Sequence, residues 1–173
     1  MQKITTPLQH AAIGMLNRYS EQCTHAVTLT MKQTVWVKTP HGRACIKLTP
    51  ENASRNLRHA LNRINRRFYG NGYKRKPEQY RLLVIATLEG KNTEKRLHYH
   101  LQIGHLPANT TTDELHAAIT DAWGVTDFAD RQIDVQALYG TNWLTYITKE
   151  IGNADTDCVD WQNVCVPDCL RKN

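Results

Sequence analysis

His98 and His100 are separated by one residue in the run Leu97-His98-Tyr99-His100-Leu101-Gln102-Ile103, which reads as a buried β-strand. Side chains alternate along a strand, so the two imidazoles share a face with Gln102, while Tyr99, Leu101 and Ile103 take the other. Neutral imidazoles so placed can bind a divalent ion, and two histidines with one carboxylate suit Mn²⁺ or a similar metal. The plainer alternative is a pair of exposed strand histidines. A third ligand separates the two readings. Glu89 closes the preceding strand-like run and returns beside the histidines if the two runs pair, whereas Glu94 in the intervening loop is its rival. Gln102 is an auxiliary ligand or a nucleic-acid contact.

Tyr146 and Lys149 form a second candidate pair. They lie three apart in a run that reads as a helix, hence on one side of it. A phenol is a weak nucleophile at its free pKa near ~10 and needs a metal, a base or a cation to activate it. Lys149 can supply the cation, for the phenolate or for a phosphate it attacks. Alone, the pattern fits equally a packed tyrosine beside a surface lysine. Tyr139 precedes the helix, separated from it by Gly140, and is read as structural.

These residues must be positioned by a domain that the chain is long enough to build, at 173 residues. Residues 8–19 suit a short amphipathic helix, and residues 26–31 alternate as a strand. Val35-Trp36-Val37 and residues 44–48 flank the turn signal Thr39-Pro40-His41-Gly42, which predicts a hairpin. Thr49-Pro50-Glu51 has the form of a helix start, and Gly70 that of its stop near Tyr69. Residues 81–88 are apolar enough for a central strand. Thr111-Thr112-Asp113-Glu114 fits a capping box, for a helix ending near Gly124, and residues 132–137 alternate again. The expected fold class is α+β, a mainly antiparallel sheet of about five strands with helices on one face and a ligand on the other. The domain is expected to span residues 1–152, followed by a Cys-containing tail, 153–173.

Charge points to a polyanion. The net charge is +6. Residues 55–81 hold Arg55, Arg58, Arg63, Arg66, Arg67, Lys74, Arg75, Lys76 and Arg81 against the single acid Glu78. All but Arg81 are taken as DNA-binding candidates; a solvated helix face is the alternative. Five cysteines, an odd number, argue against a disulfide framework, and Cys158, Cys165 and Cys169 match no common zinc spacing, so reduced thiols are expected. No apolar run approaches a membrane span, and the N-terminus lacks the apolar core of a secretory signal, which leads to the expectation of a cytoplasmic protein with no membrane partner.

The motifs together resemble the HUH endonucleases, and among them the rolling-circle replication initiators, or Rep proteins. Thr28-Leu29-Thr30 resembles the first motif, His98-Tyr99-His100 the His-hydrophobe-His motif, and Tyr146-Ile147-Thr148-Lys149 the Tyr-x-x-Lys motif. The resemblance covers roughly residues 25–152 and rests on order and spacing more than on any one motif. It implies a single-stranded or hairpin origin as substrate, a divalent cation (Mn²⁺ or Mg²⁺) held by His98, His100 and Glu89, and attack by Tyr146 to give a 5′-phosphotyrosine and a free 3′-OH. The chain has no G-x-x-x-x-G-K-[ST] loop, so a Rep of this kind would borrow a host helicase or be less than a full initiator. An HUH single-tyrosine transposase is the near alternative, and a non-catalytic single-stranded nucleic-acid-binding module the alternative of another class. A water-using metal hydrolase would have no need of Tyr146.

Overall fold

The computed structural model describes residues 7–91, 96–139 and 158–171. Among the described residues the main sheet has four strands, all antiparallel, in the order β4-β5-β1-β6. These are β1 (Cys23–Met31), β4 (Leu83–Glu89), β5 (His98–Gly104) and β6 (Ala129–Ala137). Between β1 and β4 come a separate hairpin, β2 (Thr34–Thr39) and β3 (Gly42–Lys47), then the long helix α2 (Pro50–Tyr69) and the short helix α3 (Gly72–Arg75). Helix α1 (Pro7–Ser20) precedes β1, and α4 (Thr112–Trp123) joins β5 to β6. The α+β class is as expected. The main sheet has four strands, with the hairpin forming a second sheet of its own. The predicted tyrosine helix, with Tyr146 and Lys149, and the loop residue Glu94 lie outside the described residues.

Local chemistry sets the element ends. Thr49 caps α2 by accepting a hydrogen bond from the Asn52 amide, Pro50 needs no partner at the first helical position, and Gly70 closes the helix at φ 55°. Within α2, Ala53, Leu57, Ala60, Leu61 and Ile64 recur at helical spacing and are buried. In α4 the reciprocal capping box between Thr111 and Glu114 is complete. Its hydrogen bonds to Thr111 hold the Glu114 carboxyl below the usual range.

Strand alternation divides the core in two. Val84, Ala86 and Leu88 of β4, Tyr99, Leu101 and Ile103 of β5, and Val27, Leu29 and Met31 of β1 pack with α2 and α4. Leu83 and Ile85 point the other way and pack with Ala12 and Leu16 of α1 and with Cys158 and Val159. The expectation of helices on one face alone is therefore corrected: α1 covers part of the second face, because Leu83 and Ile85 give β4 an apolar side there as well.

The Cys-containing segment, which has no periodicity in the sequence, runs along the free edge of β4. Val84 and Cys165 exchange both backbone hydrogen bonds, at 2.8 and 2.9 Å, the Leu88 amide donates to Cys158 O and the Asp160 amide to Ala86 O. This covers a strand edge that would otherwise present unpaired backbone groups. All five cysteines are free thiols. Burial raises the Cys23 thiol to about 12.

Gly104 shows how tightly β5 is seated. It faces Cys23 across the sheet, beside the register irregularity between Cys23 and His25. A Cβ there would drive into the Gln22 carbonyl oxygen and the Cys23 Cα, both backbone atoms that cannot swing aside. Gly104→Ala is expected to cost about 3 kcal/mol, at the upper end of overpacking effects. Gly14 in α1 has nothing within 4 Å of the same added atom, so Gly14→Ala should be neutral or stabilising. Urea unfolding of the two variants checks the contrast.

Candidate metal centre

The face of the sheet that carries α1 also carries a band of polar side chains. Strand pairing sets Glu89 opposite His98, Thr87 opposite His100, and Thr28 opposite His100 on its other side. A row Thr87-His100-Thr28-Asp134 thus crosses all four strands. Glu89 is 1% exposed and His100 6%, while His98 is half-buried. Glu89 Oε2 lies 3.7 Å from His98 Nε2 and 3.8 Å from His100 Nε2. The imidazoles meet edge to face with their centroids 4.9 Å apart.

Hydrogen bonding settles one tautomer. His98 Nδ1 lies 2.8 Å from the Arg96 carbonyl oxygen, which can only accept, so Nδ1 carries a proton, and in the neutral ring the lone pair is then on Nε2, the nitrogen nearest Glu89. His100 Nδ1 lies 3.0 Å from Thr28 Oγ1. With Nδ1–H donating to that hydroxyl, a neutral His100 turns the lone pair of Nε2 to the Glu89 side. A partner on the far nitrogen is the usual support for a metal-binding histidine.

One ligand atom from each of Glu89, His98 and His100 lies within 4.8 Å of the others. Two ligands each about 2.1 Å from one ion are at most about 4.2 Å apart, and both carboxylate–imidazole separations fall inside that limit. Two neutral nitrogens and one carboxylate oxygen form a donor set suited to a divalent transition metal. The group can hold a metal ion.

The metal end of the sheet opens onto a cleft of about 370 Å³ lined by Thr30, Met31, Arg96, Leu97, His98, Asp130 and Gln132. Arg96 places an exposed cation beside it. Arg96 stands two residues before His98 in the sequence, a position to which strand alternation alone assigns no role. Gln102 follows His100 on the same face and is fully buried between Ala26 and Ile85. Tyr139 lies just past β6 and is 94% exposed.

The predicted metal residues come together, and the predicted DNA-binding residues lie elsewhere. Arg55, Arg58, Arg63, Arg66 and Arg67 are exposed on the outer side of α2, which covers the sheet face opposite to the histidines. Arg58 donates to Gln162 Oε1 at 2.7 Å, and Arg67 pairs with Asp121 at 2.5 Å. Lys74, Arg75 and Lys76 are exposed around α3. Among the described residues, no helix is long and apolar enough to cross a membrane.

No protein-family model matches this chain, nor does any curated protein or any solved structure. What the fold and site define is thus a class by construction: an antiparallel α+β domain with a buried Glu-His-His group at one end of its sheet.

Proposed function

We propose that the chain is a metal-dependent endonuclease of the HUH type that nicks and rejoins single-stranded or hairpin DNA, in the manner of a rolling-circle Rep. The observation that carries this reading is the convergence of Glu89 with His98 and His100 on one sheet face. The basic balance of the chain supports an anionic substrate. A divalent ion, Mn²⁺ or Mg²⁺, bound by these three residues would polarise a phosphodiester oxygen as a Lewis acid.

The role of Tyr146 rests on the Tyr-x-x-Lys pattern. The phenol gives up its proton to solvent, the phenolate oxygen attacks phosphorus, the P–O3′ bond breaks, and the departing 3′ oxygen takes a proton from solvent to leave as a hydroxyl. Lys149 offsets the negative charge. One phosphoester replaces another, so the step is reversible, and a later 3′-OH that attacks the phosphotyrosine restores a continuous strand and frees the tyrosine. A host helicase is the partner that the resemblance implies for a Rep of this kind.

The test is an SDS-resistant adduct between the protein and labelled single-stranded DNA in Mn²⁺. Wild type is expected to form it and Tyr146→Phe to form none. Absence of any adduct on hairpin and unpaired substrates would overturn the reading, and an adduct from Tyr146→Phe would reassign the nucleophile.

A further inference from the structure

The β2–β3 hairpin stands apart from the main sheet. Its register pairs Thr34 with Lys47, Trp36 with Cys45, and Lys38 with Arg43. Alternation puts these six side chains on one face of the ribbon, and all six are exposed. Trp36 is 69% exposed. Neighbouring same-face rungs are about 7 Å apart, so the indole is flanked by Lys38 and Arg43 on the turn side and by Lys47 on the root side. No acid occurs from Met31 to Pro50.

The hairpin is rooted at the metal end of the sheet. Gln33, just before β2, accepts a hydrogen bond from the Leu97 amide at 3.1 Å and donates to Leu97 O at 3.3 Å and Met31 O at 2.8 Å. Leu97 immediately precedes His98. The Leu48 amide, just after β3, donates to Gln33 O at 2.8 Å. Ile46, on the ribbon's other face, borders a groove with Arg55 and His59 of α2. The ribbon is thus tied to the metal site at its root and borders the arginine helix along one flank.

We infer that the exposed face of the hairpin binds single-stranded DNA, with a base stacked on Trp36 and phosphates met by Lys38, Arg43 and Lys47. The inference rests on the nuclease reading for its site and on the ribbon for its contacts. A solvent-facing indole among cations is the combination by which proteins hold unpaired strands, because every base offers a π-face and every linkage a charge. Duplex DNA keeps its base faces covered, so an unpaired strand fits the indole better. A second copy of the same face would set like charges against one another, which disfavours self-association there.

The experiment is fluorescence anisotropy with labelled oligothymidylate in EDTA, where binding is read without cleavage. Trp36→Ala is expected to bind about tenfold more weakly, with Trp36→Phe retaining most of the affinity. The triple variant Lys38→Ala/Arg43→Ala/Lys47→Ala should make the log–log salt dependence shallower by about 2, as three phosphate contacts on a single strand require. Since Trp36 is exposed, these variants should fold like wild type. Unchanged affinity in Trp36→Ala overturns the inference, and if that variant still forms the DNA adduct, the nuclease reading survives alone. If wild type forms no adduct but Trp36→Ala loses affinity, the hairpin site stands and the nuclease reading falls. An equal loss on duplex DNA would overturn stacking on unpaired bases. A shift from dimer to monomer in Trp36→Ala with unchanged DNA affinity would mark a protein interface instead.

Discussion

Mn²⁺ is expected to raise the melting temperature of the wild-type chain, and replacing Glu89 by alanine is expected to abolish that shift. A ligand that binds only the folded state stabilises it by about 2.7 kcal/mol at one hundred times its Kd, equivalent to about 5–10 °C in the melting temperature of a chain this size. Glu89 supplies the one anionic donor in the group, and without it two imidazoles remain. Loss of an outer partner such as Thr28 typically weakens metal affinity by about 10- to 100-fold. Loss of the carboxylate should exceed that, so Glu89→Ala should melt at one temperature in Mn²⁺ and EDTA alike. Thr28→Val should keep a reduced shift, because the His100 ring loses its hydroxyl partner but keeps its place in β5. Thermal unfolding across a Mn²⁺ titration reads all three proteins. A full shift in Glu89→Ala would remove this carboxylate from the ligand set and return the role to Glu94. The same variant should lose the DNA adduct while retaining salt-sensitive DNA binding, which depends on phosphate contacts away from the metal.

The parts of this site legible in sequence are those governed by short-range periodicity. The alternation of His98, Tyr99 and His100 fixes which side chains share a face, and the run of β4 ending at Glu89 returns through a short connection to set that residue opposite His98. Capping chemistry likewise locates α2 and α4, since Thr49, Gly70 and the Thr111–Glu114 box act within a few residues. What periodicity cannot give is the side of the sheet on which a helix lands. The apolar stripe of α2 shows that its arginines point outward, but only tertiary packing puts that helix on the Tyr99 face, away from the histidines. Nor does alternation reveal a segment that joins a sheet by isolated bridges. Residues 158–166 touch β4 at Val84 and Thr87 through backbone atoms, with turns between, so their sequence carries no repeating signal.

Asp160 is where that illegible segment has its largest expected effect. Tyr99, the residue between the two histidines, is fully buried on the core side of β5 and its hydroxyl donates to Asp160 Oδ2 at 2.8 Å. Burial, and then the Asp160 charge, push the Tyr99 phenol far above its ordinary value, so it stays a donor. Ser54 of α2 donates to Asp160 Oδ1 at 3.1 Å, and Asn163 Nδ2 donates to Oδ2 at 2.7 Å and to the Ser54 carbonyl at 3.0 Å. One carboxylate thus ties the histidine strand, the basic helix and the C-terminal segment together. Asp160→Ala would leave the Tyr99 hydroxyl buried without its acceptor and cut Ser54 and Asn163 from theirs, at about 1–3 kcal/mol for each group stranded. The net loss expected is about 3–4 kcal/mol, because Ser54 and Asn163 keep each other as partners. Asp160→Asn should cost far less, since its one oxygen can still accept from Tyr99 and Asn163. Tyr99→Phe should cost about 1–2 kcal/mol in the wild-type background and little when added to Asp160→Ala, because its partner is already gone. Urea unfolding of the four proteins of this cycle measures the coupling. Additive losses would mean that the Tyr99–Asp160 hydrogen bond does not hold the segment to the strand. Coupled losses would show that residues beyond the predicted domain boundary help seat the strand that presents His98 and His100.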